Sequence, residues 1–502
     1  MNGILAPERR SLAFAGIPVS VVTAVGLGLV AIVAALAVLS NAGLYLVGAM
    51  AAVFVLYLIL KHPTAVTYVA LAWLVFEKSA GPQTGSLASL LSVGGDALLV
   101  FALFWAIVLN LMRGRRPVFR PGLIGWGLLA FIALSIASTI SNGVPLHVAE
   151  LGLIDTLKSL LIFLAIINIG ISARDVNRAV YWIIGVMAVA ALLGVLQVYA
   201  HSPAWIVGGQ RFAGPHGLMR VDGPFDHPLS LGNYLALTAP LALMLRLFGN
   251  VTGRWRGWLT AACYVFLLGL LFTFAREAWL AIPVSMVFVG LTVDWKVLKV
   301  IIPPVLMMGL VAIPFVSSVN ATDTGAQRLT IFKLALPLIK THLLLGAGPG
   351  RFGGHVALIT HTPLYALYHV SNYFYGTGNQ IDQFWTHLLA EAGILGVAAF
   401  LAMIVPCFLL GRTAYRRSSD PRRRAIILGL LCAVPSAILL SFTSSTLEEG
   451  PAATLFWAQM GLLTVLALAG DAEPASDPAH EMDGGAPHLV LAPADRAPTP
   501  PS

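Results

Sequence analysis

Charge is scarce in this sequence. Asp, Glu, Lys and Arg make up 10% of its 502 residues, where a soluble globular domain carries about 25%. Apolar residues reach 58% and mean hydropathy is +0.86. An ordinary soluble domain is excluded, and an integral membrane protein with many spans is implied. Cysteine is nearly absent. Cys263, Cys407 and Cys432 all fall inside apolar segments without ligand spacing, so they read as buried thiols rather than a disulfide framework or a metal centre. No G-x-x-x-x-G-K-S/T stretch occurs, so nothing suggests ATP-driven work. The glycine-rich "GAGPGRFGG" (346–354) follows no strand and belongs to no βαβ unit, which removes a dinucleotide fingerprint. Its glycines are expected to permit close backbone approach instead. His355, His361, His369 and His387 make no H-x-x-x-H pair on a credible helix, so no metal or other cofactor is expected. "MNGILAPERR" leads into a long apolar stretch with no small-residue cleavage pattern, so no cleavable signal is expected.

Long apolar runs are what the chain has in quantity. They predict an all-α polytopic membrane protein with about 14 transmembrane helices, near 17–40, 42–60, 64–76, 97–112, 123–142, 157–172, 179–200, 228–248, 258–275, 278–294, 298–318, 385–410, 426–445 and 454–469. When the spans alternate, "APERR", "RGRRPVFR", "ARDVNR", "GRWRG", "DWKVLK" and "GRTAYRRSSDPRRRA" all land on one side. Most of the 30 Lys and Arg lie there. This positive-inside pattern predicts that both termini are cytoplasmic. The net charge of +8 is thus a topology signal, and no nucleic-acid partner is expected.

The opposite side carries two long segments, 201–227 and 319–384. Long loops of this kind are usually functional or disordered. Within the second, "RLTIFKLALPLIKTHLLLGAGPGRF" (328–352) is apolar with spaced cations, as an interface-lying amphipathic helix would be. The chain therefore divides into an N-terminal transmembrane bundle (1–200), a central region with both outer loops (201–410), C-terminal transmembrane helices (411–470) and a Pro/Ala-rich acidic tail (471–502) expected to be disordered and cytoplasmic.

Few charges interrupt the apolar layer, and those that do carry the functional information. "FTFAREAWLA" (271–280) sets Arg276 and Glu277 between two apolar runs. A charge at the centre of a bilayer costs about 2.5 kcal/mol or more. The pair therefore belongs at the outer face, either as a tight turn whose charges snorkel to water or as part of a site. Arg211, Arg220, Arg328 and Arg351 share that face with few carboxylates nearby. The planar fork of Arg suits bidentate binding of phosphate. "RVDGPFDHPLSLGNYL" (220–235) places Arg220, Asp222, Asp226 and His227 just before a span, where a capped, proline-stiffened helix entry accounts for all but Arg220. "NQIDQFWTHLLAEAGILGV" (379–397) enters the twelfth span. There Asp382 is either a helix cap or a general base. Glu391 falls inside the apolar stretch beside Gly393 and Gly396, which permit close packing.

Taken in order, Arg220 with "GPFDHPLSLGNYL", "FTFAREAWLA", Arg328 with "PLIKTHLLLGAGPGRF", and "DQFWTHLLAEAGILG" resemble the O-antigen ligase/polymerase superfamily of bacterial membrane glycosyltransferases. The resemblance covers roughly 205–410. It implies a metal-independent enzyme of the bacterial inner membrane, which takes a glycan from a polyprenyl-diphosphate-linked oligosaccharide at the outer face. It implies contact of Arg220 and Arg276 with the diphosphate, with Arg328 in support; Asp382, where the long loop returns to the membrane, is the expected catalytic base. His227, Arg211 and Arg351 are further expected substrate contacts. Ala275 and Glu277 depart from the family's usual small polar and Gly neighbours of the Arg. Asp382-Gln383 stands where ligases tend to show His-Asn and exopolysaccharide polymerases Asp-Asn, which favours polymerase. A chain-length regulator is a further expected partner. The alternatives are a ligase that moves finished polymer onto lipid A-core, and a transporter of a small anion or of the lipid-linked glycan.

Overall fold

The computed structural model describes residues 64–76, 86–113, 123–200, 212–213, 219–225, 227–302, 322–371, 383–448 and 450–469. The chain separates into two compact units, Met1–Val66 and Thr67–Ser502. Almost all described residues belong to the second. They are helical apart from loops and one two-stranded hairpin, an exception to the all-α expectation. In chain order the elements are α1 (Ala65–Phe76), α2 (Ser86–Met112), α3 (Leu123–Ser141), α4 (Leu146–Leu157), α5 (Leu160–Ile169), α6 (Ala173–Ala200), β1 (Phe212–Ala213), β2 (Met219–Arg220), α7 (Pro228–Phe248), α8 (Gly253–Thr273), α9 (Arg276–Thr292), α10 (Thr322–Thr341), α11 (His355–Ile359), α12 (Pro363–Leu367), α13 (Phe384–Arg417), α14 (Pro421–Leu440) and α15 (Gly450–Leu468). The hairpin is antiparallel, with Phe212 opposite Arg220.

Eight of these helices, α2, α3, α6, α7, α8, α13, α14 and α15, are long and apolar enough to cross a bilayer. The pair α4 and α5, bent by 56°, makes a ninth if it counts as one span. This is the architecture of a multi-pass membrane protein. The expected spans 17–40 and 42–60 and most of 298–318 lie outside the described residues. Those near 64–76 and 278–294 appear as the shorter α1 and α9. The count of 14 therefore stands as an expectation, and the expected tail 471–502 also lies outside the described residues.

Burial divides the bundle into centre and rim. In α14 and α15, 83% of the membrane-crossing stretch is inside the protein, against 22% in α3. α7 and α14 approach closely at Gly429, where an added Cβ would fall 2.6 Å from Leu241 Cα. On the rim, Trp126, Leu129, Ile136 and Ile140 of α3 point outward. An apolar surface of that kind suits a membrane-facing rim.

Bonds between helix ends mark two chemically different ends of the bundle. At one end Arg113 donates to Ile169 O (3.1 Å). Arg423 donates there to Leu466 O (2.6 Å), and Arg424 pairs with Asp294 (3.8 Å). Most described cations, including Arg412 to Arg424, gather at this basic end. The other end holds the loops: the end of α3, the β2–α7 segment, the α8–α9 turn, α10 to α12, and the α14–α15 connection.

Candidate functional site

Local chemistry at the loop end explains how Arg220 and Arg276 meet. α8 stops at Phe274, which is left-handed (φ 51). Only Phe274 and Ala275 separate it from α9, so Arg276 is the first residue of the next helix. Thr273 Oγ1 accepts from Ala275 N (3.2 Å). β2 lies against this turn: Val221 N donates to Phe272 O (3.0 Å) and Arg220 Nε to Thr273 O (2.9 Å). The segment after β2 is latched by Gln197 of α6. Its Nε2 donates to Asp222 Oδ1 (2.9 Å) and Gly223 O (3.1 Å). Its Oε1 accepts from Asp222 N (3.2 Å) and Gly223 N (3.0 Å). Arg220 and Arg276 are both half-buried. Burial pushes the Arg220 guanidinium below its usual range; Glu277 opposes the shift and Arg276 adds to it. The Arg276 side chain makes no hydrogen bond or ion pair among the described residues. Glu277, in the first turn of α9, has a favourable position against the helix dipole.

The mouth of α13 adjoins this pair through a short relay. Gly232 of α7 packs on Ala275 and Ala278, with no room for a Cβ. Its neighbour Asn233 donates to Ser444 Oγ (3.2 Å), and Ser444 O accepts from Phe384 N (3.4 Å). Gln383 donates to Arg328 O (3.1 Å) and accepts from Thr386 Oγ1 (3.0 Å). The half-buried Arg328 is thereby fixed at the α13 mouth. The N-cap position of α13 belongs to Gln383, whose side chain makes no capping bond. Asp382 and Arg211 lie outside the described residues. His227 caps α7, its Nδ1 accepting from Leu229 N (3.0 Å), with Pro228 at the first helical position.

The glycine-rich segment proves to be an anion cradle that the chain fills itself. α13 is 34 residues long, about 50 Å, far more than the roughly 30 Å a bilayer needs. It breaks at Gly393, whose φ of 66° and ψ of −175° no helix contains. The chain at 343–348 runs into the break. Ala347 N donates to Ala390 O (2.9 Å), Gly348 N to Glu391 O (3.0 Å), Ile394 N to Leu343 O (2.9 Å) and Leu395 N to Leu344 O (3.2 Å). Both oxygens of the Glu391 carboxylate then accept backbone bonds, from Gly350 N (2.7 Å) and Phe352 N (2.7 Å). The successive N–H groups form a nest of the kind that holds anions, and Glu391 occupies it. Gly152 of α4 lets the loop come this close, since a Cβ there would collide with Pro349 and Gly350.

Behind the loop lies a buried cluster that crosses three elements. His387 Nδ1 is 2.7 Å from Phe352 O. Its Nε2 is 3.3 Å from Glu448 Oε1 and 3.7 Å from Glu391 Oε2. Burial raises the Glu448 carboxyl to about 7 against the pull of His387, with Asp155 and Glu391 adding to the rise. Lys158 pairs with Asp155 (3.5 Å) and Asp96 (3.6 Å). The half-buried Arg351 leaves the loop on the other side and donates to Asn142 O (3.2 Å). Burial lowers its guanidinium, with Glu391 opposing. Among the described residues no group of His, Cys, Asp and Glu has the arrangement of a metal site.

Sequence reasoning singled out Glu391 without giving it a partner, weighed His387 only as a metal ligand, and passed over Glu448, Gln197 and Lys158. The i, i+4 spacing of His387 and Glu391 was the available signal, since such residues share a helix face. No local pattern points to Glu448. No protein-family model matches the chain, and a search of curated proteins finds no match either.

Proposed function

We propose that this chain is a bacterial inner-membrane glycosyltransferase that polymerises polyprenyl-diphosphate-linked oligosaccharide repeat units into a surface polysaccharide or exopolysaccharide. The pairing of Arg220 with Arg276 carries the reading. Two half-buried guanidiniums, one with no partner among the described residues, stand at the end of a membrane bundle. A lipid-anchored diphosphate would bring its charge to that depth. In the reaction, a hydroxyl of one repeat unit attacks the anomeric carbon of another. The bond from that carbon to the diphosphate oxygen breaks, the hydroxyl proton passes to Asp382, and polyprenyl diphosphate leaves with its charge held by Arg220 and Arg276. Arg328, fixed through Gln383 at the α13 mouth, supports the same site. His227, Arg211 and Arg351 are further contacts of the lipid-linked substrate. The basic end of the bundle faces the cytoplasm in this reading, as do both termini, and a chain-length regulator is the expected partner.

One feature suits a transporter instead, since broken helices often line transport sites. The break at Gly393 is different in kind, because its freed backbone groups are bonded to Leu343–Gly348 rather than exposed to a cavity. Sizing the glycans of the lipid-linked pool after deletion of the protein tests the proposal. Loss of polymerase leaves single lipid-linked repeats. Long polymer on polyprenyl diphosphate would mean a ligase, and repeats trapped facing the cytoplasm would mean a transporter.

A further inference from the structure

We infer that Glu391 is a positioning residue for Arg351, and that the glycine loop serves as a mount that aims this guanidinium at a diphosphate. The inference rests on the proposed function, which supplies the anion. Four glycines of the loop have positive φ: Gly346 (72°), Gly348 (104°), Gly350 (72°) and Gly353 (90°). Such a segment has little conformational preference of its own and depends on outside bonds for its shape. Glu391 supplies them on both sides of Arg351, by accepting from the amides of residues 350 and 352. With those two amides fixed, the direction of the Arg351 Cα–Cβ bond is fixed as well. Asn142 holds the other end of the loop: its Nδ2 donates to Gly346 O (3.0 Å), beside Ser138 Oγ at 3.1 Å. Among the described residues Arg351 uses one of its five N–H donors, on Asn142 O. Its remaining fork has the geometry for phosphate oxygens. The loop amides do not, because the buried carboxylate of Glu391 already fills them. An anion here is therefore recognised by the side chain of Arg351 and not by the loop backbone.

The test is a binding cycle with a polyprenyl diphosphate bearing no sugar, titrated onto the full chain in lipid nanodiscs. Glu391→Gln keeps the shape but not the charge or the second strong acceptor, and is expected to weaken binding about 10- to 100-fold. Arg351→Ala is expected to lose a similar factor. Because Glu391 acts through Arg351, the double variant should bind no worse than Arg351→Ala alone. Amide hydrogen exchange at 350–352 should quicken in Glu391→Gln while the rest of the protein is unchanged. If Glu391→Gln fails to accumulate, Asn142→Ala carries the same cycle, with a smaller loss that also disappears in the Arg351→Ala background. Additive losses, or binding by Glu391→Gln equal to the parent, would overturn the inference. Failure of the parent to bind polyprenyl diphosphate would instead overturn the reading of function, with the exchange result still reporting on the mount.

Discussion

Replacing Arg276 by Ala separates a functional charge from a snorkelling one, because the two roles predict different signs. Arg276 is half-buried beside a second half-buried cation, Arg220, and their mutual repulsion adds to the lowering of the Arg220 guanidinium. No hydrogen bond or ion pair of Arg276 offsets that repulsion among the described residues. Removing Arg276 should therefore leave the folded protein as stable as before or slightly more stable, by a few tenths to about 1 kcal/mol for a solvent-screened pair. Turnover should move the other way. Truncating a desolvated charge that pairs with a ligand costs about 2–5 kcal/mol, roughly 30- to several-thousand-fold. Arg276→Lys should recover only part of it, since an ammonium cannot reproduce the planar fork. The assay is polymer formed per unit of protein from purified lipid-linked repeats, together with the thermal midpoint in the same detergent. A lowered midpoint with a proportionate loss of polymer would make Arg276 a structural residue. Normal polymer with a normal midpoint would make it a snorkelling turn charge. Either result refutes the argument.

Three other expectations follow from particular residues. Asp382→Asn should abolish polymer, about 100- to 10,000-fold for loss of a general base, at normal protein level; full activity would move the base elsewhere, with His227 the next candidate. Gly393→Ala should destabilise by about 2–5 kcal/mol, because the added Cβ meets a backbone conformation reserved for glycine and the backbone of Leu344 and Gly346; an unchanged thermal midpoint would refute the splice between 343–348 and α13. Glu448, raised to about 7 by burial against an ordinary 4.5, keeps its proton in the folded protein over a range where the unfolded chain loses it. The contribution of Glu448 to stability should thus fall as pH rises from about 4.5 to about 7, by on the order of 3 kcal/mol at most. Glu448→Gln should flatten that slope in thermal midpoints taken between pH 4.5 and 8.

The parts of the fold legible in the sequence are those dictated by residues close to one another. The start of α7 at Pro228 could be read from proline at a first helical turn. Its end at Phe248 fell where the apolar run stops. The tight turn before Arg276 followed from the brevity of the polar interruption in "FTFAREAWLA". Legibility failed where one segment completes another. The expected span near 157–172 is instead part of a bent pair, turned at Lys158 and Ser159, where Lys158 reaches Asp155 and, in another part of the chain, Asp96. Gly393 reads locally as a packing glycine, and only the arrival of Leu343 and Leu344 makes it a break. "GAGPG" looks like an open cradle until Glu391, some forty residues later in the chain, is placed in it.

The splice at Gly393 also imposes an order on assembly. Residues 322–354 leave the ribosome before 384–417, so the loop is made while the helix that will hold it is still unmade. Until α13 is made, the amides of Ala347 and Gly348 and the carbonyls of Leu343 and Leu344 lack the partners they have in the folded protein. The glycine loop is therefore a late-setting joint. It closes when the helix threads past it, and it closes from behind only when Glu448 arrives between the last two helices to meet His387. The shape of this end of the protein thus doubles as a record that the final three helices have been inserted.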